Sequence, residues 1–279
     1  LYFILALYPV FTSYLLRLFL KGFALDQYLV QAEGTPGDIT LSESGGVRYL
    51  HFGTKWIQGA MSLTRPNDLV LSYTQQMMAW MLFERPQAIK SIAVLGLGAG
   101  GVVRFCHEHV PTSHMDVVEI NPDVTAMCQA FFKIPRSERI EVIHADAEVW
   151  VNEPTQQGQY DLLLVDLYDE HAQGPACSSP AFYQGCYQSL NEHGILVVNL
   201  FGGHQSFEHN VDNLAAAFNG RYVLLPEVDE GNIVALAFKG EQMQTPIGEL
   251  LERAGQIKKT YRFPALSWVK GLLSSLSNN

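Results

Sequence analysis

The spacing of apolar residues changes character twice along the chain. Over residues 29–71 apolar and polar positions alternate in short stretches broken by Gly34, Gly37, Gly45, Gly46, Gly53 and Gly59. ITLSES, VRYLHFG, TKWIQGAMSL and DLVLSY therefore read as strands of a small antiparallel sheet. Residues 73–84 then take helical spacing, with Met77, Met78, Met81 and Leu82 on a core face and Pro86 closing the helix. From residue 91 onward, short unbroken apolar runs alternate with amphipathic segments. Strands are predicted at 92–95, up to Glu119, and over 139–146, 160–166 and 194–200, with helices to about His109 and over 122–132, 147–152, 180–190 and 207–218. RYVLLPE and NIVALAF finish the pattern as a strand pair that adds an antiparallel edge. Apolar strands in alternation with helices specify a mostly parallel sheet covered on both faces. The expected fold is thus α/β, a Rossmann-like doubly wound sheet with a small N-terminal antiparallel β subdomain. The expected division is a hydrophobic segment over 1–28, the β-rich subdomain over 29–72, the Rossmann-like domain over 73–240 and a helical tail over 241–279.

Residues 91–121, SIAVLGLGAGGVVRFCHEHVPTSHMDVVEIN, organise the rest. A buried strand runs into a turn containing Gly96, Gly98, Gly100 and Gly101, then a helix, then a second strand ending in Glu119. Glycines allow a tight turn and the close approach of a ligand. A carboxylate ending the second strand, about 20 residues beyond such a turn, is placed to accept hydrogen bonds from ribose hydroxyls. In such sheets the ligand lies beyond the carboxyl ends of the strands. Glu119, Asp146, Asp166 and Asp169 all fall at or just past strand ends. Any one of them alone would serve as a helix N-cap, whereas four along one edge favour a site. Asp146, in the HADA segment, is placed to accept from the exocyclic amine of adenine, and Asp166 and Asp169 are suited to hold and deprotonate a cationic amine. A divalent metal is the competing use of that pair, but no histidine accompanies it at ligand spacing, so no metal is expected. Gln58 is expected on a strand, where its amide meets a ligand or faces solvent, and position alone favours solvent.

Composition narrows the partners. The 279 residues, 48% hydrophobic, suffice for one large core, and a formal net charge of −10 argues against general nucleic-acid binding while fitting a cationic partner. Cys106, Cys128, Cys177 and Cys186 form no CxxC pair and read as reduced cytosolic thiols. Residues 1–20 carry Arg17 as their single charge, yet Pro9, Thr12 and Ser13 interrupt them. A membrane-proximal anchor, a helix packed on a partner and a stretch upstream of the domain remain equal readings of that segment. The expected localisation is cytoplasmic, with membrane association if the first reading holds.

With these motifs in order, the chain resembles the polyamine aminopropyltransferases, the spermidine synthase-like proteins, whose fold is class I methyltransferase-like. The resemblance covers about residues 48–238 and rests on GTKWIQ at 53–58, SYTQ at 72–75, GLGAGG at 96–101, VVEIN at 117–121, ADA at 145–147, YDLLLVDLYD at 160–169 and GPA at 174–176. It implies transfer of an aminopropyl group from decarboxylated S-adenosylmethionine to a polyamine such as putrescine. Gln58, Gly96, Gly98, Glu119, Asp146 and Ala147 would hold the nucleoside, Asp166 would take the proton from the attacking amine, and Asp169 and Tyr73 would help to position the amine. A homo-oligomer is also implied.

Several positions depart from the family pattern. Its GGGDGG turn carries an Asp, which meets the donor's ammonium, where this chain has Ala99; DSSDP has become DLYDE; the gate Glu has become Gln75; and PTYPSG has become PEVDEGN. An Asp at the turn also repels the carboxylate of ordinary S-adenosylmethionine, so Ala99 leaves a methyltransferase using that donor as the alternative. Glu227, Asp229 and Glu230, in the altered late segment, are expected to form a solvated turn rather than a second cation site.

Overall fold

The computed structural model describes residues 38–168 and 178–277. The hydrophobic segment 1–28, Asp169 and the GPA residues 174–176 lie outside the described residues.

The first sheet consists of β1 (Ile39–Ser44), β2 (Val47–Phe52) and β3 (Gly59–Ser62), all antiparallel. Only the last part of TKWIQGAMSL is a strand, because residues 54–57 form a loop with Lys55, Trp56 and Ile57 exposed and no core behind them. DLVLSY is not a strand at all. Leu69 packs into the core, and helix α1 (Ser72–Met77) already begins at Ser72. Its early start has a tertiary cause: the Tyr73 N–H is capped by Asp229 Oδ2 at 2.7 Å, from a turn 156 residues away. The predicted helix over 73–84 splits, since Met78–Leu82 continues as a tighter 3-10 turn with all five residues buried.

The main sheet is built from β4 (Ser91–Leu95), β5 (His114–Val118), β6 (Ile140–Ile143), β7 (Tyr160–Val165), β8 (Leu190–Phe201), β9 (Tyr222–Leu224) and β10 (Asn232–Phe238). Their order is β6-β5-β4-β7-β8-β10-β9. Pairing is parallel from β6 to β8, and β10 runs antiparallel to both β8 and β9, as expected. Between the strands run α2 (Gly101–His109), α3 (Pro122–Phe131), α4 (Ala147–Val151), α5 (Pro180–Ser189) and α6 (Phe207–Ala217); α7 (Ile247–Tyr261) and α8 (Ala265–Ser277) follow β10.

Alternate strand residues enter opposite cores. Ile92, Val94, Leu162, Leu164, Ile195 and Val197 face a layer that includes Phe105, Trp80, Ile257 and Trp268. Ala93, Leu95, Leu163, Val165, Leu196 and Val198 face a layer with Trp150, Phe182, Leu214 and Phe218. Burial on both sides explains why these strands read as continuous apolar runs. Each buried Leu, Val or Ile contributes roughly 1.5–3 kcal/mol, so the central strands are the rigid floor for the loops at their carboxyl ends. Strand order reverses between β4 and β7, which opens a crevice beyond those ends. Among the described residues no helix is long and apolar enough to cross a membrane.

Candidate active site

The glycine turn after β4 is shaped by what approaches it. Gly96 has φ 91° and a Cβ there would run into the carbonyl oxygen of Asp166. Gly98 has φ 49°, and its Cβ would lie 2.9 Å from the Gln58 carbonyl oxygen. Only glycine fits both the left-handed backbone and the two incoming chains. The turn is tied from behind by Arg104, a buried side chain of α2. Its Nη1 donates to Ala99 O at 2.6 Å and Phe132 O at 2.7 Å, and its Nε donates to Pro66 O at 2.7 Å. Burial lowers that guanidinium to about 10. Cys128 Sγ adds a contact to Gly98 O at 2.8 Å.

Glu119 follows β5 directly and faces the turn. Its Oε2 accepts from Leu97 N at 3.0 Å and its Oε1 from Asn121 N at 2.9 Å. Burial raises its carboxyl above the ordinary range, and the two N–H donors oppose that rise. Asp146 caps α4, with Oδ1 accepting from Glu148 N at 2.8 Å and Val149 N at 3.2 Å. The cap reading of this acid is therefore correct, and it does not compete with a ligand role, because both backbone bonds fall on one oxygen.

Asp166 follows β7, its N–H donating to Leu95 O at 2.9 Å. Its carboxyl accepts from the Tyr73 hydroxyl at 3.2 Å on Oδ2 and from Asn199 Nδ2 at 3.0 Å on Oδ1. Burial raises the Asp166 carboxyl, while the bonds from Asn199 and Tyr73 pull it back. The Tyr73 phenol is pushed well up, first by burial and then by the Asp166 charge. Tyr168 also points here and donates to Asn199 O at 3.2 Å, whereas Tyr183 is fully buried and donates to Asn210 Oδ1 at 2.8 Å. Asn199 is 1% exposed and its Oδ1 has no partner among the described residues. An orphaned acceptor at such a place loses the full desolvation cost of the group until a donor arrives.

These groups line one cavity of about 1240 Å³ at the reversal of strand order. Gln58, Gly96, Gly98, Glu119, Asp146 and Ala147 line it together with Tyr73 and Asp166. Gln58 thus does not sit on a strand facing solvent; it immediately precedes β3, where the residue 54–57 loop turns it toward the cavity. Nor is Asp229 a residue of a merely solvated turn, since it lines the same cavity and caps α1. Ala99 is absent from this lining and faces a small adjoining cavity with Gly59, Thr74 and Met77. Asn199 and Asn232 are lining residues that sequence reading did not single out, and Asp229 is one it expected only in a solvated turn. The available signal was Asn199 as the lone polar residue inside the apolar run GILVVNL; Asn232 offered none.

The seven-stranded order, the glycine turn and the cavity beyond it define the Rossmann-like class shared by spermidine synthases and methyltransferases. Among solved structures, a probable spermidine synthase from Corynebacterium glutamicum is similar with TM-score 0.65 and 19% identity, covering 77% of this chain and 83% of that one. Human methyltransferase-like protein 13 in complex with SAH is similar with TM-score 0.61 and 24% identity, covering 70% of this chain and 94% of that one. In sequence, a polyamine aminopropyltransferase of Neisseria meningitidis is 32% identical over 245 residues, which is 87% of this chain and 91% of the relative. The family model for the spermine/spermidine synthase domain matches residues 71–244. The chain belongs to this family of polyamine aminopropyltransferases, and is a transferase.

Proposed function

We propose that the protein transfers an aminopropyl group from decarboxylated S-adenosylmethionine to a small cationic amine such as putrescine. On this reading Glu119 receives the ribose hydroxyls on the lone pairs its two backbone donors leave over. Asp146 receives the adenine amine on the oxygen not used for capping, and the backbone at Gly96 and Gly98, Gln58 and Ala147 enclose the rest. The donor sulfonium is already activated, so alignment of the amine behind the carbon under attack supplies most of the acceleration. The amine lone pair forms the new C–N bond, the C–S bond breaks, and its electron pair stays on sulfur, leaving neutral methylthioadenosine. The proton released by nitrogen goes to Asp166.

An alkylamine is largely protonated near neutral pH, so a base at the point of attack is needed. The observation that carries the reading is the pairing of Asp166 with Tyr73 and Asn199. Two donors fix both carboxylate oxygens while burial raises their basicity, the combination suited to a general base. Asp169 is assigned to the same amine from the family pattern. The second reading, methyl transfer from S-adenosylmethionine, is favoured by Ala99, which puts no carboxylate near the donor tail to reject that of the intact donor. Incubation with decarboxylated donor and putrescine should release methylthioadenosine and yield spermidine. Release of S-adenosylhomocysteine from the intact donor, with no thioether from the decarboxylated one under any short diamine, would reverse the assignment.

A further inference from the structure

Asp229 stands where the family pattern has no carboxylate, and three observations bear on what it does. The first is its backbone. It opens the 3-10 turn Asp229–Gly231 with φ 43°, a left-handed conformation uncommon outside glycine. The turn is pinned by the Val228–Asn232 bridge and by Asn232 Nδ2 donating to Asp229 O at 2.9 Å. A fixed turn holds this side chain at the cavity.

The second is the division of its oxygens. Oδ2 accepts from Tyr73 N at 2.7 Å, and Oδ1 makes no hydrogen bond among the described residues. Tyr73 meets Asp229 with its backbone and Asp166 with its hydroxyl. The two carboxylates are thus set apart by the span of one tyrosine, Asp166 inside and Asp229 at the exposed end.

The third is the polarity of the lining. Lys55 is the one cationic side chain of the described lining, against the carboxylates of Glu119, Asp146, Asp166 and Asp229. Asn199 Oδ1 is buried among them without a donor. The buried, undonated Asn199 Oδ1 at one end of the Tyr73 span and the exposed Asp229 carboxylate at the other suit a ligand with hydrogen-bond donors and positive charge at both of its ends.

We propose that Asp229 is the anchor for the distal ammonium of the acceptor, and that it selects α,ω-diamines over monoamines. The inference rests on the aminopropyl-transfer reading for the identity of the nitrogen at Asp166, but the charge at Asp229 is testable without turnover. The near nitrogen sits at Asp166 and Asn199, and the far ammonium takes Asp229 Oδ1. The loss of the family's late tyrosine, here Val228, is offset by a charge one residue further on.

The test is calorimetric binding of 1,4-diaminobutane and of n-butylamine to the full chain and to Asp229→Asn, with and without methylthioadenosine. Asparagine keeps an oxygen for the Tyr73 N–H, so the start of α1 is preserved while the charge is removed. Diamine binding should weaken about tenfold in the variant, as expected for a charge-assisted bond, with butylamine unchanged. Equal weakening of both amines would reduce Asp229 to a cap of α1 and overturn the proposal, as would unchanged diamine binding or none in the wild type. Selective weakening in a protein that releases no methylthioadenosine from the decarboxylated donor would uphold Asp229 as the anchor and remove only the transfer reading.

Discussion

Asp166→Asn separates chemistry from architecture. The carboxyl oxygens have two protein donors, the Tyr73 hydroxyl at 3.2 Å and Asn199 Nδ2 at 3.0 Å. An asparagine retains one acceptor. Its new N–H2 can donate to the Asn199 amide after a flip that presents the orphaned Oδ1, so the local network survives. What disappears is the proton acceptor, worth about 10²–10⁴ in rate for a general base, or roughly 3–5 kcal/mol at 1.36 kcal/mol per tenfold. Methylthioadenosine release in single turnover should fall by that factor. Calorimetric affinity for methylthioadenosine should stay within about twofold, because Glu119 and Asp146 are untouched. Stability moves in the opposite direction. The folded-state carboxyl lies above its unfolded value, so the folded protein loses stability as pH rises through that raised pKa. The variant escapes this loss: its Tm should exceed wild type at pH 7, and the difference should close below about pH 4. A variant that loses nucleoside affinity together with rate, or melts earlier at pH 7, would show that Asp166 is structural and refute its role as base.

Tyr73→Phe removes a donor that favours the Asp166 carboxylate, so the Asp166 pKa should rise further and the acid limb of the pH–rate profile move to higher pH; an unmoved limb would detach Tyr73 from the base. Gly96→Ala combines a φ of 91° with a collision at the Asp166 carbonyl, whereas Gly158→Ala at φ 69° meets nothing within 4 Å. Strain alone costs about 1–2 kcal/mol, so calorimetric unfolding should show a clearly larger loss for Gly96→Ala, and equal losses would contradict the packing described. Ala99→Asp should shift the ratio of donor affinities toward the decarboxylated form, and an unchanged ratio would mean that the small cavity at Ala99 does not receive the donor tail.

Much of the fold was readable because its signals are local. The apolar runs of β4, β5, β7 and β8, the glycine turn and the acid ending β5 are written within contiguous residues. The errors came where a distant part of the chain decides the local conformation. DLVLSY carries a short apolar run, Leu69 to Leu71, that resembles a strand, yet Asp229 reaches Tyr73 N and starts a helix there. TKWIQ precedes a true strand segment and reads as part of it, but its Trp56 and Ile57 are exposed and have no core to face. The same reason limited the site. Glu119, Asp146 and Asp166 stand at strand ends, a position visible in sequence, and the structure places all three on one cavity. Asn199 gains its meaning from β8 lying beside β7, and Asp229 from the turn before β10 returning to α1; neither neighbour is near in sequence. Position alone points Gln58 to solvent for want of the loop that turns it inward, whereas the family resemblance assigns it to the site.

Titration calorimetry of the purified protein with decarboxylated and with intact S-adenosylmethionine bears on aminopropyl transfer itself. Tighter binding of the decarboxylated donor is predicted, despite Ala99, because the cavity's acidic lining favours a donor without its own carboxylate. Tighter binding of the intact donor would contradict aminopropyl transfer and assign the site to methyl transfer.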